Sequence, residues 1–471
     1  MLDTTLPPSP ARSPAGRHAV DGSRATLDAG VRLGALVTLW AALLLVTYWW
    51  VTGGGVQDLS SWADGLTSTG RLTGLVASVL LLVQVLLMAR VPLLERAYGQ
   101  ARLARLHRLV GFTSFTAMVA HVGVITWGYA AGQLADTPRE LWDLTVDYPG
   151  MLLAAAGTAC LVMVVVTSVK AARRRLRYES WHLLHLYAYL GVGLALPHQL
   201  WTGREFTASP VRTVFWWTLW AASAGAVLLW RVAVPLVTSA RLGLRVTGMV
   251  HESPTTVSVH LAARPGARIR AEAGQFYTMR FLSGPGWTRG HPFSLSAAPD
   301  GTRLRITVAV VGDGSAALLA LRPGTRVLVE GPYGRLSARA RTRRKLALIG
   351  AGAGITPLRA LAEELDYAPG DAVLLHRFGH DRLLGAEIDD LATRRGLQVL
   401  ALPGSRRAPD SWLGAGIGPA SDLAALCWWV PDIAERDVYV CGPEEWARAV
   451  RRTTEAAGLP ADRFHVESFG W

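Results

Sequence analysis

Two apolar stretches of the sequence each carry two histidines that could ligate a metal. His107 and His121 lie fourteen positions apart in LHRLVGFTSFTAMVAH, and His185 and His198 lie in LLHLYAYLGVGLALPHQLW. Fourteen helical residues rise about 21 Å, most of a bilayer's hydrocarbon thickness, and return to within about 40° of the same face. Ionisable side chains are costly inside a membrane, so two pairs at matched depths indicate a functional site. Neutral imidazoles facing each other across two helices would form two axial ligand pairs, the outline of a transmembrane di-haem site.

The spacing of the second pair differs from that of the first. His185 and His198 are thirteen positions apart, and thirteen steps of about 100° leave two residues on nearly opposite faces of a regular helix. Pro197 lacks a backbone N–H, so we expect a helix distortion just before His198. A single intramembrane histidine usually forms a hydrogen bond between helices, and for His182 we expect a structural or ligand-supporting role.

The composition indicates a membrane protein with a large soluble part. The chain has 471 residues, of which 51% are hydrophobic, and its 18 tryptophans suit the interfaces of a bilayer. The formal net charge of +13 is compatible with nucleic-acid binding, but no basic module with interleaved aromatic residues occurs, so we expect no nucleic-acid partner. The 3 cysteines show no metal-ligand spacing, which predicts neither a disulfide framework nor a cluster site.

Six apolar stretches are long enough to cross a bilayer. They lie at about 32–52, 72–92, 107–129, 150–170, 181–201 and 211–237. Arginine and lysine are concentrated in the loops after the second and fourth stretches, whereas the other loops are acidic. Positive loops face the cytoplasm, so we predict a multi-pass protein of the cell membrane with both termini cytoplasmic. We expect a disordered tail at 1–28 and a transmembrane domain at 29–240.

The sequence changes character after residue 240. Short alternating runs such as TVSVHLAA and RLRITVAVV predict an antiparallel β-barrel over residues 241–340. Strands then alternate with helices over residues 341–471, which predicts an α/β domain with a parallel nucleotide-binding sheet. The predicted fold class is therefore a multi-domain membrane protein: a six-helix bundle, then an antiparallel barrel, then an α/β domain.

Several motifs of the soluble half are suited to binding a dinucleotide or a flavin. Glycines 350, 352 and 354 follow an apolar strand and open a helix, so their backbone N–H groups could cradle a pyrophosphate. VVGDGSAALLAL joins glycines to a helix start in the same way, and the CGP turn at 441–443 ends a later strand, where ligands bind in such sheets. In HPFS (291–294), an aromatic ring and a hydroxyl could stack on a planar ring and hydrogen-bond its nitrogens.

Together these motifs resemble those of the NADPH oxidase and ferric reductase superfamily. The barrel and the α/β domain look like the ferredoxin–NADP reductase module, and HPFS and the membrane histidines look like those of membrane-bound members. The histidine spacing is more similar to the NADPH oxidase pattern than to the ferric reductase one. The resemblance covers about residues 70–471 and implies an FAD-binding barrel, an NADPH-binding domain and two b-type haems.

The resemblance also implies roles for individual residues. The inner haem iron would be held by His107 and His185, and the outer haem iron by His121 and His198. Residues implied to bind FAD are His291, Pro292, Phe293, Ser294, Gly312, Gly314, Ser315 and Trp471, the last covering the flavin. Residues implied to bind NADPH are Gly350, Gly352, Gly354, Thr356, Pro357, Arg377, Ser405, Arg406, Cys441, Gly442 and Pro443.

Two sequence features bear on the choice between NADPH and NADH. Arg377 stands where an acidic residue would suit a free ribose hydroxyl, although Asp381 follows closely. Ser405 and Arg406 resemble the serine–arginine pair that meets the 2′-phosphate in the family. They favour NADPH and leave NADH possible, because surface arginines are also common in this chain.

The expected activity is electron transfer from cytoplasmic NADPH through FAD and the two haems to an acceptor outside. The resemblance favours O2, giving superoxide, over ferric chelates. A cytochrome b-type subunit serving a separate partner, or a six-span transporter with a nucleotide-sensing domain, are the alternatives. Arg204 and Arg212 are expected near the outer haem as anion-binding residues or as interfacial anchors. No calcium-binding loop precedes the membrane domain, so we expect no calcium regulation. We also expect no obligate regulatory subunit, because no regulatory segment is evident in the sequence.

Overall fold

The computed structural model describes residues 22–176, 178–284, 286–310, 317–418 and 420–468. Backbone contacts divide the chain into two compact units, Leu27–Val234 and Pro235–Trp471. The division lies close to the boundary predicted at residue 240.

The first unit is helical. Its helices are α1 (Gly22–Thr52), α2 (Trp62–Met88), α3 (Pro92–Tyr98), α4 (Gln100–Tyr129), α5 (Thr137–Asp147), α6 (Met151–Ser168), α7 (Lys170–Arg173), α8 (Tyr178–Trp201), α9 (Arg204–Thr207) and α10 (Pro210–Ala226). A π-helical segment, Val227–Ala233, continues α10 into α11 (Val234–Leu242). These helices contain the six stretches that the sequence predicts to be apolar spans.

Five helical segments of the described chain are long and apolar enough to cross a membrane. They are Thr26–Thr52, Trp62–Met88, Gln100–Tyr129, Met151–Ser168 and Pro210–Leu242. The remaining predicted span, 181–201, is helical within α8 but is not among these five. Its histidines, tyrosines and Pro197 lower its mean hydropathy, so the residues suited to ligation also weaken its apolar character.

Two helices begin earlier than predicted. α1 begins at Gly22, inside the segment predicted to be a disordered tail. α2 begins at Trp62 rather than near residue 72 because Ser61 caps it: the Ser61 side chain accepts a hydrogen bond from the Asp64 backbone N–H. The cap, rather than the first apolar residue, determines where the helix starts.

The long helices pack in two pairs, α2 along α4 and α6 along α8. The second pair crosses at two glycines: a Cβ on Gly157 would lie 2.6 Å from the Gly191 carbonyl oxygen, and one on Gly191 would lie 2.9 Å from the Gly157 carbonyl oxygen. Small residues allow such close approach of membrane helices. By contrast, α4 and α8 make few close backbone contacts, although directly packed helices lie about 8–10 Å apart. Helices α4 and α8, which carry the histidine pairs, are therefore not packed directly against each other, and we call the gap between them the interval.

The second unit begins with two antiparallel sheets. The strands are β1 (Arg245–Ser253), β2 (Thr256–Ala262), β3 (Phe276–Phe281), β4 (His291–Ser294), β5 (Arg303–Ala309) and β6 (Val327–Tyr333). One sheet has the order β1-β2-β5 and the other β4-β3-β6. Single bridges, Arg245 with Arg326 and Leu295 with Ile306, join the two sheets at both edges. Their alternating inward residues share one hydrophobic core, which includes Tyr277, Met279 and Ile306.

The chain continues into a five-stranded parallel sheet flanked by helices, and the predicted parallel pairing is confirmed. The elements are β7 (Leu346–Ala351), α12 (Ile355–Glu364), β8 (Ala372–Phe378), α13 (Gly385–Arg395), β9 (Gln398–Pro403), α14 (Asp422–Trp429), β10 (Asp437–Gly442), α15 (Glu444–Ala456) and β11 (Phe464–Ser468). The strand order is β11-β10-β7-β8-β9. The fully buried strands β7 and β10 lie beside each other at the centre, as expected for a sheet covered on both faces.

A network of ion pairs connects the antiparallel sheets to the α/β part of the same unit. Arg305 of β5 donates to both carboxylate oxygens of Glu387 on α13, at 2.7 and 2.8 Å. Arg359 of α12 pairs with the same carboxylate at 2.8 Å and also with Glu363. Glu363 in turn accepts a hydrogen bond from the backbone N–H of Ala298 at 2.7 Å. Planar, bidentate contacts of this kind are directional, so the network fixes the angle between the two parts.

Candidate functional site

His107 and His185 face each other across the interval between α4 and α8. Their ring centres lie 6.0 Å apart. Two metal–imidazole bonds of about 2 Å, plus about 1 Å from each ring nitrogen to its ring centre, predict a separation of roughly 6 Å for a bis-histidine metal. The two rings therefore fit the axial positions of a haem iron. Within the described residues, no group of three or more metal-binding side chains occurs elsewhere.

Backbone carbonyls of α2 orient the two histidines of α4. The Nδ1 atom of His121 lies 2.7 Å from the carbonyl oxygen of Gly70, and that of His107 lies 3.2 Å from the carbonyl oxygen of Gln84. A carbonyl only accepts, so each Nδ1 carries the proton and donates. Each Nε2 then keeps its lone pair and is the nitrogen available to a metal, the usual arrangement for a ligating histidine.

Two glycines of α2 make room for this arrangement. A Cβ on Gly74 would lie 2.6 Å from Nδ1 of His121, and a Cβ on Gly70 would lie 2.7 Å from Cβ of Ile125. Any larger side chain at Gly74 must displace the His121 ring. The sequence prediction did not include Gly70 and Gly74. Their spacing of four positions, which is typical of close helix packing, could have indicated that α2 packs tightly against a neighbouring helix.

The second predicted pair consists of His121 on α4 and His198 on α8, which lie close enough to interact electrostatically. The Nδ1 atom of His198 is buried and forms no well-aligned hydrogen bond, although the ring interacts with the backbone of Ala195 one turn earlier. The predicted distortion at Pro197 does not interrupt the helix: α8 is continuous to Trp201 with the proline inside it. Pro197 also lies against the loop before α6, since a Cβ on Gly150 would be 3.0 Å from its carbonyl carbon. The distortion expected at Pro197 therefore does not end the helix, and its local geometry stays a prediction.

Three side chains surround His185 on its own side of the interval. Its Nδ1 lies 3.4 Å from the hydroxyl of Ser168, which also accepts from the indole N–H of Trp181 at 3.3 Å. The Trp181 ring lies against the imidazole with ring centres 5.0 Å apart and an angle of 33°. The guanidinium of Arg173 lies over the Trp181 ring, 4.6 Å from its centre. His182 lies close enough to His185 to interact with it electrostatically, and its role stays a prediction.

Arg212 forms a buried ion pair, not a free anion site. Its guanidinium pairs with Glu205, and both side chains are largely buried. It also lies 5.5 Å from the Trp49 ring centre and 3.4 Å from the Trp49 carbonyl oxygen. Of the two roles expected for Arg212, this pairing disfavours anion binding, because Glu205 neutralises the charge of the guanidinium. The side chain of Arg204 lies outside the described residues.

The HPFS residues form strand β4 at the edge of the second antiparallel sheet. Phe293 pairs with Tyr277 and Ser294 with Phe276 in the register with β3. Ser294 is buried, whereas His291, Pro292 and Phe293 are half-buried, so part of their surface is open to a ligand. The Phe293 ring is 6.3 Å from the rings of Phe281 and His291, which hold it in place.

Four residues predicted to bind FAD lie outside the described residues. They are Gly312, Gly314, Ser315 and Trp471. The described flanks place the first three between the end of β5 at Ala309 and the short helix Ala317–Ala320. Trp471 follows β11, which ends at Ser468 beside Gly442 in the parallel sheet. Their roles stay predictions.

The glycine loop and the CGP turn meet in space. A Cβ on Gly354 would lie 2.1 Å from the Cys441 carbonyl oxygen, so only glycine fits between the start of α12 and the end of β10. Gly352 has a positive φ of 53° and open space around it, which leaves its backbone exposed to a ligand. Thr356 is buried and donates to the Ala353 carbonyl at 2.9 Å, closing the first helical turn. Burial raises the pKa of the Cys441 thiol well above its ordinary value, so it remains protonated.

Two arginines predicted to meet a 2′-phosphate, Arg377 and Arg406, affect each other electrostatically. Burial, followed by the charge of Arg406, lowers the pKa of Arg377. Arg406 is held by the Ser411 carbonyl at 2.7 Å, and Arg377 lies 3.5 Å from the Gly404 carbonyl. Ser405 directly precedes Arg406 in the chain, and its carbonyl oxygen accepts a hydrogen bond from the backbone N–H of Ala415 at 2.8 Å. Two like charges held together by backbone contacts form a site suited to a dianionic phosphate.

A cleft of about 360 Å³ opens beside the glycine loop. Its lining includes Gly352 and Ala353 from the loop, Asp381 and Glu387 from the segment after β8, and Thr256 from β2. A volume of this size is within the usual range for a small-molecule site. The cleft lies at the carboxyl ends of β7 and β8, where ligands bind in parallel α/β sheets.

Parts of the chain are similar to known proteins. Residues 73–196 match the family described as "Ferric reductase like transmembrane component". The reductase subunit Stc4 of stachydrine N-demethylase from Rhizobium meliloti is 32% identical over 46% of this chain and 64% of its own length. A flavohemoprotein from Chromobacterium violaceum is 31% identical over 46% of this chain and 58% of its own length. The FAD/NAD-binding domain of a Vibrio cholerae nitric oxide dioxygenase aligns with 49% of this chain and all of that domain, at 23% identity and a TM-score of 0.41.

The chain spans less than two thirds of the length of these curated relatives. The matches nevertheless identify two components: a ferric-reductase-like transmembrane component and a reductase-type module for FAD and a nicotinamide dinucleotide. This combination is the one that the sequence motifs predicted from their resemblance to NADPH oxidase-like proteins.

We predict a pH-dependent loss of stability from His376, which is buried in β8 next to the glycine loop. Burial lowers its pKa to about 4, with a further lowering by Arg382 and an opposing effect of the Gly352 backbone. The unfolded chain, with an ordinary pKa near 6.5, binds the proton more readily, so stability falls as pH decreases from about 6.5 to about 4. The loss from this residue reaches about 3 kcal/mol. Thermal unfolding of the full chain followed by near-ultraviolet circular dichroism should show a shallower pH dependence in His376→Leu; equal slopes would contradict the assignment.

Proposed function

We propose that the chain transfers electrons from NADPH through FAD and two bis-histidine b-type haems to an acceptor on the other side of the membrane. The arrangement of the imidazoles supports the proposal. The ring centres of His107 and His185 lie 6.0 Å apart across the interval between α4 and α8. Hydrogen bonds from Nδ1 of the α4 histidines to carbonyls of α2 leave Nε2 available to a metal.

The proposed topology has six spans. α8, the fifth in chain order, is added to the five candidate spans. Its histidines are compatible with a membrane because a ligand would satisfy their nitrogens. The arginine-rich segments after α2 and α6 support a cytoplasmic location for those loops and for both termini. In the second unit, the two antiparallel sheets joined at both edges support a closed barrel as the FAD-binding domain.

The chain's own residues bind and orient the cofactors. When bound, FAD accepts a hydride and releases electrons singly, and each haem iron carries one electron. Phe293 and Ser294 at the edge of β4 offer the ring face and the hydroxyl for the flavin. The Gly352 backbone and the Arg377–Arg406 pair offer donors for the pyrophosphate and the 2′-phosphate of NADPH. The buried Arg305–Glu387 contact keeps the two binding surfaces at a constant angle.

The direction of transfer follows from the positions of the residues in the sequence. His107 and His185 lie near the helix ends that adjoin the arginine-rich loops, so they form the inner pair, whereas His121 and His198 form the outer pair. Two histidine ligands leave no open coordination position on an iron. The acceptor would therefore take its electron at the edge of the outer site without binding to metal.

We favour O2 as the acceptor, with superoxide as the product, on the basis of the histidine spacing. Ferric chelates are the second candidate, and delivery to a separate partner protein is the third. Glu205 neutralises Arg212, so this arginine offers no net positive charge to attract an anionic chelate or to hold superoxide. A small neutral acceptor is the choice most compatible with that neutral pair.

We predict that Gly74→Leu will remove one haem. The new side chain would displace the His121 ring, whose Nδ1 would lie 2.6 Å from the added Cβ. The matched control is Gly123→Leu, because a Cβ at Gly123 would meet nothing within 4 Å. Pyridine haemochrome assays of the purified full chain should give about two haems per chain for the control and about one for Gly74→Leu. Equal haem contents would contradict the proposed outer site, and absence of haem from the unaltered protein would favour the transporter alternative.

We predict that Arg406→Gln will weaken the binding of NADP⁺ and leave that of NAD⁺ nearly unchanged. Loss of one charge-assisted contact to a phosphate costs about 1.5–3 kcal/mol, so Kd for NADP⁺ should rise roughly 10- to 150-fold. Arg394→Gln is the control, because Arg394 is an exposed residue engaged by Asp390 on α13. Isothermal titration calorimetry of the full chain measures both nucleotides. A parallel loss of both affinities would show that Arg406 does not distinguish the 2′-phosphate.

The acceptor is tested by supplying one candidate at a time to the reconstituted protein. If O2 is the acceptor, NADPH oxidation in air produces cytochrome c reduction that superoxide dismutase abolishes. Under anaerobic conditions with ferric citrate, the rate of NADPH oxidation should then fall at least about tenfold. Rapid anaerobic oxidation that requires the chelate and ignores O2 would replace the oxidase assignment with a ferric reductase one.

A further inference from the structure

Five exposed arginines surround the point where the last candidate span enters the antiparallel sheets. Arg241 lies in the last turn of α11, and Arg245 is the first residue of β1. Arg264, Arg322 and Arg326 come from later in the chain, and all five are exposed. We call this group the arginine collar.

Backbone contacts bring the distant members of the collar to the end of α11. The backbone N–H of Arg264 donates to the Leu242 carbonyl at 2.8 Å, and the Arg264 side chain lies 3.4 Å from a Cβ placed on Gly243. Arg326 forms a bridge with Arg245. Arg322 begins the turn that returns to β1, where the Gly324 N–H donates to the Val246 carbonyl at 2.8 Å. The collar is thus a continuous surface built from three separate segments of the chain.

The collar arginines lack acidic partners among the described residues, unlike the arginines inside the same unit. Arg305, Arg359 and Arg436 each form an ion pair with a carboxylate, but none of the described carboxylates pairs with a collar arginine. Asp300, on a neighbouring turn, forms hydrogen bonds within that turn: its side chain accepts from the backbone N–H groups of Thr302 and Arg303. Burial alone would raise the pKa of the Asp300 carboxyl, but these hydrogen bonds and one from the Thr302 hydroxyl lower it. The positive charge of the collar is therefore available to a ligand from outside the chain.

The collar lies next to the end of a candidate membrane span in the sequence. Leu242 is the last residue of the candidate span Pro210–Leu242, and Arg245 follows it by three residues. Three extended residues reach at most about 10 Å, which is comparable to the distance over which charges interact at physiological salt. Arg241 is inside the span's final turn. Headgroup phosphates of the bilayer are the negative groups that occur at this depth.

We infer that the arginine collar binds anionic phospholipid headgroups of the membrane into which α11 is inserted. A phosphodiester offers two oxygens to the fork of a guanidinium, and several arginines on one surface favour a lipid with a net charge over a zwitterionic one. The lipid would hold the end of α11 and the start of β1 at a constant depth. This role adds to the proposed electron transfer and does not depend on it.

The test measures which lipids the full chain retains. The protein is purified in a neutral detergent, equilibrated with mixed micelles of phosphatidylcholine and phosphatidylglycerol, passed over a column, and its lipids are quantified by mass spectrometry. The altered protein carries Arg264→Gln, Arg322→Gln and Arg326→Gln. The charge-matched control carries Arg303→Gln, Arg448→Gln and Arg452→Gln, three exposed arginines of the same unit outside the collar. A third variant replaces the three collar residues by lysine, which preserves the charge and reports on folding.

We expect the unaltered chain, the control and the lysine variant to enrich phosphatidylglycerol over the micelle composition. The collar glutamine variant should lose at least about fivefold of that enrichment, since each arginine near a surface contributes to the attraction of anionic lipid. Undiminished enrichment in the collar variant overturns the inference. An equal loss in the control also overturns it, because the effect would then belong to net charge alone. Neither haem nor NADPH is needed for this measurement, so its outcome is separate from that of the haem assay.

Discussion

The hydrogen bonds from the α4 histidines to backbone carbonyls of α2 are the contacts on which the proposed redox site depends. The bond from His121 to Gly70 measures 2.7 Å and that from His107 to Gln84 measures 3.2 Å. Each bond selects the tautomer and turns Nε2 away from α2. Both require α2 and α4 to lie close together, which Gly70 and Gly74 permit. A helix without ligands of its own therefore determines how the ligands on its neighbour are presented.

The same physical requirement, that buried polar groups be satisfied, shapes both units of the chain. In the helical unit, Nδ1 of His107 and of His121 is bonded to a backbone carbonyl of α2, and Nδ1 of His185 lies beside the Ser168 hydroxyl. In the second unit, Arg305 and Arg359 are nearly buried, and Glu387 and Glu363 satisfy them while joining the antiparallel sheets to the α/β part. A buried charge that lost its partner there would be strongly destabilising, so the network also resists relative motion of the two binding surfaces.

Much of this arrangement could be predicted from sequence because periodicity and spacing report on single elements. The histidine spacing identified which helices face each other, and the glycine loop at residues 350–354 identified the strand and helix that carry it. What could not be predicted depends on contacts between elements that are distant in sequence. The carbonyls of Gly70 and Gln84, the neutralisation of Arg212 by Glu205, and the approach of Gly354 to Cys441 are of this kind.

The central claim is that the soluble module reduces the membrane site. It is tested most directly by adding NADPH to the purified full chain without oxygen and recording the flavin and haem absorbance together. The account predicts that the flavin absorbance falls and that the α-band of a reduced b-type haem then rises to the amplitude that dithionite produces. A flavin that is reduced by NADPH while no haem band appears, either with NADPH or with dithionite, would contradict the account.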